Sequence, residues 1–114
     1  MTRLELLTAP LEGLSIQQRV QALIHARELG LEIAEAAAPQ ELHERVDAGT
    51  WLRRVVDPAI AAGVLAPDAA QEWRRRCRGA EGLTDPRVVA FLFGWYEHSL
   101  LRMGEVRGDP VILE

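Results

Sequence analysis

Four prolines in this chain each open a segment that a glycine closes at helical length: Pro39 to Gly49, Pro58 to Gly63, Pro67 to Gly79 and Pro86 to Gly104. Proline suits the first position of a helix, where its missing N–H is no loss. Glycine suits the position just past the end, where the backbone turns left-handed. This punctuation constrains the chain more than any other feature, because it cuts residues 39–104 into helix-sized pieces with short connectors. Upstream, "SIQQRVQALIHAREL" adds another helix. Ser15 can cap it, and Gln18 can reach back to the Ser15 N–H to complete a capping box.

The spacing of Ile16, Val20, Leu23 and Ile24 predicts the buried stripe of that helix. Gly30 either ends the helix or is carried inside a longer one reaching Ala38. Residues 31–38, "LEIAEAAA", alternate as a strand would, but their Ala and Glu content favours helix. Residues 1–14 leave two readings open, since "TRLELL" fits a short strand or a helical turn before Pro10 and Gly13. A lone strand has no partner, so an irregular arm packed on the helices is expected. At Pro58, either Asp57 caps a fresh short helix or one helix kinks. Thr84 or Asp85 is expected to cap the helix that begins at Pro86, and the tail "RGDPVILE" is expected to be extended. Segments that could build a sheet are missing. The expectation is therefore one all-α domain over residues 1–114, a compact bundle of about five helices with an irregular N-terminal arm and an extended C-terminal tail.

"VVAFLFGWYEHSLLRM", residues 88–103, holds four of the six aromatic side chains. On a wheel at about 100° per residue, Val88, Leu92, Ser99 and Met103 fall together, extended by Val89, Phe93, Tyr96 and Leu100. A second arc holds Phe91, Trp95, His98 and Arg102. Ala90 and Gly94 are small and one turn apart, which admits another helix at close range. A helix that is apolar almost all round is normally buried on several sides, and a chain of 114 residues has few helices to surround it. Either this is the central helix of the bundle, or one arc meets another chain.

Phe91, Trp95, His98 and Arg102 are the candidate contacts for a partner or ligand, because only there does a titratable group meet an aromatic wall on one helix. Catalysis by His98 would need a positioned partner. The run "WRRRCR" places Arg74, Arg75 and Arg78 away from the stripe of Ala66, Ala69, Ala70, Trp73 and Cys77. These three arginines form a candidate basic docking face, and they also complement the dipole at a helix C-terminus. Cys77 is expected to be an inert core thiol.

The function classes narrow accordingly. The formal net charge is −4 and all 13 basic residues are Arg, which argues against general nucleic-acid binding. A single cysteine excludes an intramolecular disulfide and suits a reducing, cytoplasmic setting. No signal peptide or membrane span is expected. His25 with Glu28, and His43 with Asp47, could share helix faces, but neither pair matches a metal motif, so no metal and no cofactor are expected. Phosphate-binding glycine loops and nucleophile elbows are absent from the sequence.

"PAIAAGVLAPDAAQEW" together with "WYEHSLLRMGEV" resembles in helix pattern the helical part of nitrile hydratase beta subunits and their activators. "AAGVLAPDAAQEWRRR" is similar to C-terminal helices of some methyltransferases. Neither stretch carries a metal or catalytic motif, and neither assigns the chain to a family; the first would imply an accessory subunit. The expected function is a small helical accessory or interaction protein that binds a protein partner or self-associates through its aromatic C-terminal helix. The alternative is a small helical enzyme or ligand-binding protein with a pocket lined by that helix, His98 and the Trp51 helix.

Overall fold

The computed structural model describes residues 1–43, 46–76 and 84–107. Among these residues the fold is all-α. The order is α1 (Arg3–Thr8), a 3-10 turn (Leu11–Gly13), α2 (Ile16–Ala36), a 3-10 turn (Pro39–His43), α3 (Ala48–Trp51), a π turn (Leu52–Val56), α4 (Asp57–Ala61), α5 (Pro67–Arg76) and α6 (Pro86–Arg107). Cys77, Arg78, Gly79 and residues 108–114 lie outside the described residues.

Local chemistry sets most of the boundaries. Of the two readings of "TRLELL", the helical one is adopted: the Thr2 hydroxyl accepts from the Glu5 N–H while the Glu5 carboxylate accepts from the Thr2 N–H, a capping box that starts α1. The Ser15–Gln18 box starts α2 in the same way. α2 continues through Gly30. The proline-to-glycine reading is corrected at two ends: Gly49 lies in the first turn of α3, whose N-cap is Asp47, and Gly104 lies inside α6, which runs on to Arg107. The Asp47 carboxylate accepts from the Gly49 and Thr50 N–H groups at 3.0 and 3.2 Å.

At Pro58 neither a fresh cap nor a break occurs. Pro58 has no N–H, and its ring crowds the carbonyl four residues back. The backbone widens into a π turn just before it, and the Asp57 N–H bonds to the Leu52 carbonyl. α3, the π turn and α4 thus run on as one rod, which stops where Gly63 takes a φ of 74°.

α2 and α6 form the centre and run parallel. Leu23 lies beside Ala90 and Phe93, Arg27 pairs with Glu97, and the Ala34 and Ala37 carbonyls meet Arg102 farther along. A parallel pair needs a long crossover, which the rod from α3 to α4 and then α5 supply. The expected buried stripe of α2 is corrected here. Ile16, Val20 and Ile24 are exposed and Leu23 is half-buried, whereas Ala22, Ala26, Gly30 and Ala34 face inward. Small side chains let the two backbones come together, and that close approach outweighs the burial of three branched side chains. The main core holds Leu7, Trp51, Val55, Val56, Ala59, Trp73, Val88, Phe91 and Trp95. A smaller cluster of Leu6, Leu14 and Ala22 seats the N-terminal segment.

Candidate functional site

α6 divides its apolar residues between two jobs. Val88, Phe91, Trp95 and Ser99 point into the core, and Phe91 and Trp95 are 0 % and 1 % exposed. The Trp51 and Phe91 rings meet edge to face with centroids 5.4 Å apart. The two aromatic candidates on the second arc are therefore enclosed by their own chain and offer no surface to a partner. The Trp51–Phe91 contact lies between the aromatic helix and the Trp51 helix, where a ligand pocket was expected.

Arg102 is partly buried and turned inward too. Its guanidinium donates to the Ala34 and Ala37 carbonyls, both at 2.6 Å. These carbonyls belong to the end of α2 that lacks intrahelical donors, so a cation there also complements the dipole. His98 is half-buried and lies outside the groove described below. Arg74 and Arg75 stay exposed, as the wheel places them, and each has an acidic neighbour: Arg74 sits 3.6 Å from Asp57 and Arg75 sits 2.9 Å from Glu72. Arg78, the third member of the basic face, lies outside the described residues. Ala66 is exposed, Trp73 is buried, and Cys77 falls outside the described residues. Among the described residues, no three His, Cys, Asp or Glu side chains gather as a metal would require. His25 Nδ1 lies 3.4 Å from the Glu28 carboxylate.

The exposed apolar surface of α6 is formed by residues that extend the first arc, while Val88 and Ser99 of that arc are buried. Phe93 and Leu100 are each 66 % exposed, and Tyr96 is exposed at 45 %. Ile24 of α2 stands alongside them, and Ile16 and Val20 are exposed earlier on the same helix. Between the two helices lies an open groove of about 660 Å³ lined by Leu23, Ile24, Ala90, Phe93, Tyr96 and Leu100, with Arg27 and Glu97 at its edge. A second hollow continues toward Pro86 and Val89, sharing Leu23, Ala90 and Phe93. Arg27 and Glu97 form an ion pair across the groove at 2.6 Å, with each side chain about half exposed. The Tyr96 hydroxyl donates to the Val46 carbonyl at 2.8 Å, which fixes the ring at the margin. The sequence pattern held this signal, since Val89, Phe93, Tyr96 and Leu100 share an arc at helical spacing.

One residue that sequence reasoning did not single out organises the opposite end of α6. Arg87 is 0 % exposed. Its guanidinium forks onto both Asp85 carboxylate oxygens at 3.3 and 3.2 Å and donates to the Leu6 and Ala9 carbonyls at 2.8 and 2.7 Å. It also lies 4.3 Å from the centroid of the Trp73 ring. Asp85 in turn caps α6 by accepting from the Arg87 N–H at 2.8 Å. This buried pair ties α1, α5 and α6 together. In sequence Arg87 looked like any arginine in a first helical turn.

No helix among the described residues is long and apolar enough to cross a membrane. No family model, curated protein or solved structure matches the chain.

Proposed function

We propose that the chain is a small helical interaction protein, acting in a cytoplasmic setting, that docks another protein surface through the outer face of α2 and α6. One observation carries this reading: Ile24, Phe93, Tyr96 and Leu100 form one exposed apolar face along a groove between two adjacent helices. Scattered exposed apolar residues need no explanation, but a contiguous set flanking a groove marks an interaction site. The single cysteine supports the reducing setting. The face differs from the one first expected, because Phe91 and Trp95 are used up in the core. Its location on the aromatic helix is kept.

Photo-activatable residues at positions 93 and 100, with one at exposed position 75 as control, test the reading in the cells that make the protein. Discrete adducts at 93 and 100 but not at 75 are expected, and Phe93→Glu should abolish the adduct formed from position 100. Equal labelling at all three positions, or none, overturns it.

A further inference from the structure

The arginines of this chain are not used alike. Among those whose side chains are described, Arg19, Arg87 and Arg102 donate to backbone carbonyls. Arg3, Arg27 and Arg75 hold a carboxylate at 2.9 Å or closer. Arg53, Arg54 and Arg74 differ: all three are exposed, and none makes a hydrogen bond with a described residue. The one charged contact of Arg74 is Asp57 at 3.6 Å, longer than a hydrogen bond.

These three meet at one corner of the fold. The π turn carries Arg53 and Arg54, α5 carries Arg74, and the two elements pack on each other. Asp57 marks the junction. It faces Arg74 across it, and it follows Arg53 by four residues and Arg54 by three, the spacing of neighbours on a helix surface. Buried Val55, Val56 and Trp73 seat both elements in the core, so the arginines stand on a fixed base. Arg75 is one position round α5, its guanidinium closed by both Glu72 oxygens at 2.9 Å, and takes no part.

We infer that this corner is a second docking surface, whose occupant is an acidic segment of another protein. It shares no residue with the groove between α2 and α6, so it stands or falls independently. Three cations around one carboxylate leave the corner positive on a chain of net charge −4. Each guanidinium presents five N–H donors in a planar fork that matches a carboxylate. Incoming Asp or Glu side chains relieve the repulsion among the arginines and satisfy those donors with charge-assisted hydrogen bonds. Nucleic acid fits less well: its sites rest on about 6–10 phosphate contacts, which three cations on an acidic chain do not supply.

The probe is a fluorescein-labelled hexaglutamate peptide, titrated with the full chain to about 1 mM and read by anisotropy. Salt is held near 0.1 M, where the screening length is ~10 Å and only nearby charges count. Saturable binding is expected. Arg74→Ala should weaken it about threefold, and Arg53→Ala with Arg54→Ala about tenfold, the sizes of one and two exposed ion pairs. Arg19→Ala removes the same charge from α2 and should leave affinity within about twofold. Thermal melts of the corner variants should match the parent, since these side chains hold no internal hydrogen bond. No binding to about 1 mM, or equal weakening by Arg19→Ala, overturns the site. A labelled hexathymidylate that binds more tightly than the peptide overturns the acidic-protein assignment.

Discussion

Gly30 and Gly94 each occupy the place where the other's helix leaves no room for a side chain. A Cβ on Gly30 would overlap the Phe91 carbonyl oxygen and lie 2.8 Å from the Trp95 nitrogen. A Cβ on Gly94 would overlap the Arg27 carbonyl oxygen and lie 3.1 Å from the Leu31 nitrogen. All of these neighbours are backbone atoms, which cannot rotate away as a side-chain tip can. The parallel pairing of α2 and α6 therefore depends on two missing methyl groups.

Alanine at either position should destabilise the fold. Helix propensity favours Ala over Gly by about 1 kcal/mol, and overpacking in a tight core typically costs about 1–3 kcal/mol or more. Here the overlap forces two whole helices apart, so the penalty wins and a net loss of about 2 kcal/mol is expected for each variant. Urea unfolding measures it. A midpoint equal to or above that of the parent would mean the backbones are not in contact.

Arg87 and Asp85 should behave as a coupled unit. Arg87→Ala leaves the Asp85 carboxylate buried without its cation and removes the donor to the Leu6 and Ala9 carbonyls. Breaking a buried pair from one side costs about 3–5 kcal/mol. Removing both partners should cost clearly less than the sum of the single losses, because no uncompensated charge then remains. Additive losses in a double-mutant cycle would show that the two residues act independently.

These two features explain what could and could not be read from the sequence. Helix starts were legible at Ser15–Gln18 and Asp85–Pro86, since capping is local chemistry written within four residues. The inward face of α2 was not. Periodicity arguments weight large apolar side chains, and Ile16, Val20 and Ile24 outweigh Ala22, Ala26 and Gly30 on any such scale. Which face is buried depends on the partner helix, where Gly94 admits only a small-residue stripe. The division of α6 followed from this. Once Gly94 fixes the α2 side, Phe91 and Trp95 turn to the core and Phe93 and Leu100 are left outside. Arg87 was illegible for a related reason, because its partners Leu6, Ala9 and Trp73 come from distant parts of the chain.

Phe91 and Phe93 are two residues apart and should respond oppositely. Phe91→Ala empties a site packed against Trp51 and should cost about 3–5 kcal/mol. Phe93→Ala changes a side chain that is mostly in solvent, so the folded monomer should shift by no more than about 0.5 kcal/mol. The comparison belongs at low protein concentration, where association does not add stability. Similar losses at both positions would contradict the division of α6 into a core arc and an outer arc.

Arg102 and His98 also separate. Arg102→Ala removes the cation that covers the Ala34 and Ala37 carbonyls and should cost about 1–2 kcal/mol. Arg102→Lys keeps the charge but has a single ammonium in place of the planar fork, so it should recover only part of the loss. Thermal melts of the two variants, with His98→Ala as a half-exposed control on the same turn, resolve the difference. An Arg102→Ala melt no lower than that of the control would remove the capping role.

Ser99 makes the opposite prediction. Its side chain is buried, and its hydroxyl finds no hydrogen-bond partner among the described residues. A buried hydroxyl without a partner loses its water contacts for no return, which costs about 1–3 kcal/mol. Alanine removes that penalty, has the higher helix propensity, and leaves a space of only one oxygen atom beside Trp95. Ser99→Ala should therefore raise stability by about 1 kcal/mol, seen as a higher urea midpoint with an unchanged slope. A loss of similar size would mean that the hydroxyl is held by a group the helix ladder does not account for, and Ser99 would then belong to a polar site inside the core.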